Sequence, residues 1–169
     1  VKQSRHAINT GKSTLGKEIK VYEQFINREK NSGKPVYVKL FSEVKRILLA
    51  CAPGSMHILG LAIVAEFFRK DGWQVVVEVS PSAKELAHAV SNEWFDAVGI
   101  SVSIEQQLAG LANLVDQIKA ASRNPRLAVM LGGPIFTLQN FEAAQFGAGG
   151  ICTDARDAAA LALSLLPQD

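Results

Sequence analysis

From Lys45 onward, short apolar runs alternate with longer amphipathic stretches. Arg46–Cys51 is apolar without alternation, the pattern of a strand covered on both faces. Ala52-Pro53-Gly54-Ser55 interrupts it. From His57 to Lys70, Leu61, Val64, Ala65 and Phe68 recur at helical spacing, and Asp71-Gly72 ends the helix. Valine-rich Trp73–Val79 predicts a second strand. Ser82, with Glu85 three residues on, predicts a capped helix to Asn92. Ala97–Ser103 reads as a third strand. Glu105–Ser122 reads as a helix with Leu108, Leu111, Ala112, Val115 and Ile118 inward. Arg123–Arg126 is a turn and Leu127–Leu131 a fourth strand. After Gly132-Gly133-Pro134 comes a short helix, about Leu138–Phe146. Gly150–Cys152 is the fifth strand and Asp154–Leu166 the closing helix.

Strands that alternate with helices in this way predict a doubly wound α/β domain with a five-stranded parallel sheet. Ligands of such sheets bind beyond the carboxyl ends of the strands. Four stretches fall there: 53–60, 101–107, 132–137 and 153–155.

The first 44 residues are different. Residues 1–45 carry ten Lys and Arg against four acids, +6 in a chain whose net charge is +2. This basic segment suits contact with nucleic acid or an acidic partner, or simply a solvated linker or partial cap with one helix over about Thr14–Lys30. Gly11-Lys12-Ser13 resembles the end of a phosphate-binding loop, but the motif's first glycine would fall on His6. The chain begins at Val1, so a longer parent protein is expected. Hydrophobic residues make up 48% and charged residues 20%, as in a packed soluble domain, and no apolar run is long enough to span a bilayer. Cys51 and Cys152 sit in apolar runs and read as buried free thiols of a cytoplasmic protein.

Candidate chemistry gathers at the predicted ligand edge. His57 opens the first helix, with Gly60 three residues on; a neutral imidazole there suits axial coordination of a cofactor's metal, or simply caps the surface. Ser101 and Ser103 close the third strand, Gly132 and Gly133 the fourth, and Gly150 opens the fifth. Such small residues leave a narrow slot or make tight turns. Glu105 lacks a partner acid or base. The spacing of His6, His57, His88 and the cysteines forms no zinc site. Neither a dinucleotide-binding fingerprint nor a nucleophile elbow occurs, so no self-sufficient enzyme is indicated.

Taken in order, Ser55-Met56-His57-Ile58-Leu59-Gly60, Ser101-Val102-Ser103, Gly132-Gly133 and Gly147-Ala148-Gly149-Gly150 resemble the motifs of the cobalamin-binding domain family over about Lys45–Leu166. That family has Asp-x-His-x-x-Gly, a Ser-x-Leu-type segment, Gly-Gly and Gly-Ala-Asp-Gly at these places. The resemblance implies a flavodoxin-like (Rossmann-like) fold with His57 as axial ligand. It also implies Ser55, Gly60, Ser101, Ser103, Gly132, Gly133 and Gly150 as cofactor-binding residues. Met56–Gly60, Val64–Arg69, Gly72-Trp73 and Trp94–Ser103 resemble the regulatory branch, photosynthesis-gene antirepressors of the AppA/PpaA type. That branch includes sensors containing haem instead of cobalamin.

This chain departs from the family at Ser55, which replaces the motif aspartate, at Ser103 and at Gly149. Serine supplies no charge to a metal-bound imidazole, which argues against tuned methyl transfer. The expected function is a regulatory domain that binds haem or cobalamin, with a lean to haem. It signals redox, light or cofactor status to a transcriptional repressor by protein contact, with indirect association with DNA through that partner and direct contact by the basic segment left open. The alternatives are a cofactor-free interaction module of the same fold and a corrinoid-carrying subunit of a methyltransferase or mutase.

Overall fold

The computed structural model describes residues 44–55 and 58–167. The chain divides into two units, Val1–Glu43 and Val44–Asp169, and the described residues all fall in the second. The helix expected over 14–30 and the ligand expected at His57 lie outside the described residues.

Five strands form one all-parallel sheet: β1 (Arg46–Cys51), β2 (Gln74–Glu78), β3 (Ala97–Ser101), β4 (Ala128–Gly132) and β5 (Gly150–Cys152), in the order β2-β1-β3-β4-β5. This is the doubly wound, flavodoxin-like arrangement. The strand order reverses between β1 and β3, so the crevice beyond their carboxyl ends is the ligand position of such folds. Around the sheet lie α1 (Ile58–Lys70), α2 (Ala83–Asn92), α3 (Leu111–Ala121), α4 (Ile135–Leu138) and α5 (Ala158–Leu165).

Alternation along each strand feeds two separate cores. Leu48, Ala50, Val98, Ile100, Val129 and Leu131 pack against α2 and α3 through Leu86, Val90, Leu111, Val115 and Ile118. Ile47, Leu49, Cys51, Ala97, Ala128 and Met130 pack against α1 and α5. The two faces differ in bulk. The first is filled by branched and aromatic side chains. On the second, α5 turns only Ala158, Ala159 and Ala162 fully inward, and β3 contributes Gly99. Small residues facing one another leave that face underfilled near the carboxyl edge.

Helix α2 forms as its capping box predicts. Ser82 Oγ accepts from Glu85 N at 3.2 Å, and Glu85 Oε2 accepts from Ser82 N at 2.7 Å. Three expected helices are shorter than their patterns. The stretch after β3 is a 3-10 turn, Glu105–Gly110, and only then α3, whose buried stripe includes Leu114 where Ala112 was expected. The side chain of Gln107 accepts from Ser103 N and Ile104 N and holds that start tight. The closing helix likewise begins as a 3-10 turn, Ala155–Asp157, with the Asp154 carboxylate accepting from Arg156 N.

The single helix expected over 138–146 is instead α4 and a separate turn, Ala143–Phe146. Pro134 starts α4 early. Phe136, Phe141 and Phe146 then converge, with ring centroids 5.8 to 6.1 Å apart, which a straight helix would not allow.

Candidate functional site

A cleft of about 630 Å³ opens at the carboxyl edge of the sheet, on the underfilled face. Its floor is Leu49, Gly99 and Met130, and its walls come from the start of α1 and from the segment leading into α5. Gly99 lets Leu49 lie across the strand: a Cβ there would stand 2.7 Å from Leu49 Cδ2. No charged side chain lines the cleft among the described residues; its polar groups are the hydroxyls of Ser101, Ser103, Thr137 and Thr153 and the Cys152 thiol. Exposed apolar side chains from the start of α1 also line it, Ile58 at 47% and Leu59 at 75% exposure. Such a cavity takes a large, uncharged, partly apolar group.

Five of the residues predicted for the site line this cleft: Gly60, Ser101, Ser103, Gly132 and Gly133. Ser55 sits just behind, 3% exposed, with its hydroxyl 3.1 Å from that of Ser103. Its hydroxyl also engages the Cys51 thiol, and its carbonyl oxygen accepts from Ser80 Oγ at 2.6 Å. The serine thus joins loops rather than facing the cavity. Gly150 is placed elsewhere. It does not line the cleft, and a Cβ on it would meet Leu161 at 3.1 Å, so its small size serves the packing of α5 against β5.

Gly133 has φ +109°, and a Cβ there would lie 2.3 Å from the Val102 carbonyl oxygen. It is required by the close passage of the β4 and β3 loops. Gly60 is open: nothing lies within 4 Å of its would-be Cβ.

The two cysteines differ in burial. Cys51 is buried as expected. Cys152 is only half-buried and lines the cleft, on the edge strand β5. Burial pushes the Cys152 thiol pKa above its ordinary value, and the charges of Asp157 and Asp154 push the same way. Burial also raises Cys51, with the Ser55 hydroxyl acting against it.

Sequence reasoning missed Met130 and Cys152, and it reached Thr137 and Gln107 only as the ends of the stretches 132–137 and 101–107. The first two look like core, and nothing in the run Glu105-Gln106-Gln107 singles out the second glutamine.

Among the described residues no group of three or more His, Cys, Asp and Glu is positioned to hold a metal ion. Nor is any helix among them long and apolar enough to cross a membrane. What the cleft offers, among the described residues, is a slot without charged side chains at the carboxyl edge of the sheet.

The model of the B12 binding domain matches residues 45–163. The chain belongs to the B12-binding domain family. This B12-binding domain resembles two solved structures whose sequences are distant and which therefore speak to the fold alone. One is a novel cobalamin-binding protein from Desulfitobacterium hafniense DCB-2, 22% identical, TM-score 0.63, covering 90% of this chain and 77% of that one. The other is the monomethylamine corrinoid protein of Methanosarcina barkeri, 20% identical, TM-score 0.62, covering 74% of this chain and 59% of that one.

A curated relative is an uncharacterized 20.5 kDa protein in the bchF-crtJ intergenic region of Rhodobacter capsulatus. It is 30% identical over 108 residues, which are 64% of this chain and 56% of the relative. The chain thus spans little more than half of that relative's length. B12-binding domains bind a cofactor or serve regulation, and this chain shares their architecture.

Proposed function

We propose that this chain is a cobalamin-binding sensor domain, with His57 as the ligand of the cofactor metal and the cleft as the slot for the cofactor's nucleotide tail. The uncharged cavity of about 630 Å³ at the sheet's carboxyl edge is the observation that carries the reading. The residues present fit the group. Gly60, Gly132 and Ala155 keep the slot open, while Ser101, Ser103, Thr137 and Thr153 offer hydroxyls to a polar tail. The corrin's amide-bearing rim is uncharged, as are the described lining residues.

Haem, towards which the sequence argument leans, carries two carboxylates and no tail. It would leave the slot unfilled and meet no cation in the described lining.

The bound group would supply a metal centre responsive to light, redox state or cofactor supply. The chain's own residues bind and orient it. A sensing role is favoured over corrinoid carriage for methyl transfer because Ser55, at the motif's acid position, is uncharged and already engages Ser103 and Cys51. The proposed output is a change in contact with a transcriptional repressor. It is supported by the relative from the bchF-crtJ intergenic region, a photosynthesis gene region. To act as a switch, the cofactor must bind two states of the domain with different affinity.

The test is an absorption titration of the purified chain with hydroxocobalamin and, separately, haem, for wild type, His57→Ala and Gly60→Leu. The expected result is saturation near one equivalent with hydroxocobalamin, a changed spectrum in His57→Ala and weakened binding in Gly60→Leu. Saturable binding of haem alone would replace the cofactor in this reading. Binding of neither would leave the cofactor-free interaction module.

A further inference from the structure

The loop that follows β1 is held from two sides. On the β2 side Ser80 Oγ donates to the carbonyl oxygen of Ser55 at 2.6 Å. Ser80 is the one non-glycine among the described residues with a left-handed backbone, φ 54°. That strain persists where surrounding bonds over-determine it.

On the β3 side the holder is Gln107. Its Oε1 accepts from the backbone N–H of Ser103 at 2.9 Å and of Ile104 at 3.3 Å. Its Nε2 donates to the carbonyl oxygens of Pro53 at 3.3 Å and Ala52 at 3.5 Å. One planar amide therefore joins two loops 54 residues apart in sequence. The Ser55–Ser103 hydroxyl pair, at 3.1 Å, closes the same junction.

The two halves of the amide have different work. The accepting half caps the turn after β3. The donating half adds nothing to that turn and acts only on the β1 loop. That loop runs on in sequence through His57 to Ile58 and Leu59, which line the cleft. We propose that Gln107 is a positioning residue: it clamps the β1 loop to the end of β3 and thereby sets how His57 meets the cofactor metal. This rests on the cobalamin reading above.

Groups that orient a metal ligand from behind tune affinity without touching the metal. Neighbouring Gln106 and Glu105, both exposed, make no such bridge among the described contacts.

Gln107→Glu separates the halves. It keeps an acceptor for Ser103 and Ile104, and it sets a carboxylate against the carbonyls of Ala52 and Pro53. Gln107→Ala removes both halves. Three measurements are made on the purified chain: thermal unfolding, amide hydrogen exchange without cofactor, and titration with hydroxocobalamin.

The expected result for Gln107→Glu is melting close to wild type, with faster exchange at Ser55 to Leu59 and retained protection at Ser103 and Ile104. Its hydroxocobalamin affinity falls roughly 10- to 100-fold, with the spectrum moving toward that of His57→Ala. Gln107→Ala loses protection in both loops. Unchanged exchange at Ser55 to Leu59 in both variants overturns the clamp, whatever the chain binds. Faster exchange with unchanged affinity and spectrum overturns the positioning role. A wild-type chain that binds no hydroxocobalamin defeats the functional reading and the role of Gln107 in it. The exchange data then still report the clamp by itself.

Discussion

Gly133 passes so close to Val102 that a Cβ on it would lie 2.3 Å from the Val102 carbonyl oxygen and 2.7 Å from its nitrogen. The obstacle is backbone, held by the ladder bond from Val102 N to Gly132 O at 2.8 Å, so it cannot turn aside as a side chain can. Gly133→Ala is expected to destabilise the domain by about 2–4 kcal/mol, from overlap together with a φ of +109°. Urea unfolding measures it; a cost below about 1 kcal/mol would mean that the two loops separate easily.

Gly60 makes the opposite case. It lies in the first turn of α1 with nothing within 4 Å of a would-be Cβ. Gly60→Ala should leave the fold intact and raise stability by up to about 1 kcal/mol. Gly60→Leu should keep the fold and fill the cleft. Comparing melting with hydroxocobalamin binding separates space for a ligand from space for the fold.

Cys152 reports on the same cleft by its chemistry. Its raised pKa leaves the thiol protonated at neutral pH, so alkylation by iodoacetamide should be slow at pH 7 and accelerate as pH climbs past the ordinary value of 9.0. Cys51, fully buried, should resist until the domain unfolds. A bound cobalamin should shield Cys152. Mass spectrometry of the labelled peptides reads all three, and equal labelling with and without cobalamin would remove Cys152 from the binding surface.

Two carboxylates with lowered pKa values shape the acid limb. Hydrogen bonds from the Ser82 backbone and hydroxyl hold Glu85 below its ordinary 4.5. Those from Arg156 hold Asp154 at about 2 rather than 3.8. Each is ionised more readily folded than unfolded. Its contribution is therefore complete above the unfolded value and lost as pH falls through the folded one. Ser82→Ala should cost about 1 kcal/mol at neutral pH and flatten the stability profile just below pH 4.5. Thermal unfolding at several pH values checks it.

Asn124 is a buried polar hinge between β3 and β4. Its Nδ2 donates to the Phe95 carbonyl oxygen at 2.9 Å and its Oδ1 accepts from Arg126 N at 2.9 Å. Asn124→Ala leaves both partners unsatisfied and should cost about 1–3 kcal/mol in chemical denaturation. Asn124→Asp should cost nearly as much, because the donor to Phe95 is lost.

Much of the fold is legible in the chain because strands and helices have distinct periods. β1 and β5 were bounded from sequence to the residue, and the Ser82–Glu85 cap is a local motif. Periodicity misleads where side chains fold back on the backbone. The Gln107 amide tightens 105–110 into a 3-10 turn, and three phenylalanines bend 135–146 into two pieces. Gly132, Gly133 and Gly150 look alike in sequence. Gly132 lines the cleft, Gly133 admits a neighbouring backbone and Gly150 admits Leu161.

By itself the sequence determined the order of strands and helices and which loops reach the carboxyl edge, since apolar period and turn chemistry separate the elements. It did not determine that the edge is hollow. The hollow exists because Gly99 from β3, Gly60 from α1 and Ala158 from α5 meet on one face of the sheet. Nor could it reveal that Gln107 ties the β3 loop to the β1 loop. Those contacts join residues far apart in the chain. Only packing brings them within a few ångströms, and only there do small volume and hydrogen-bond geometry acquire meaning.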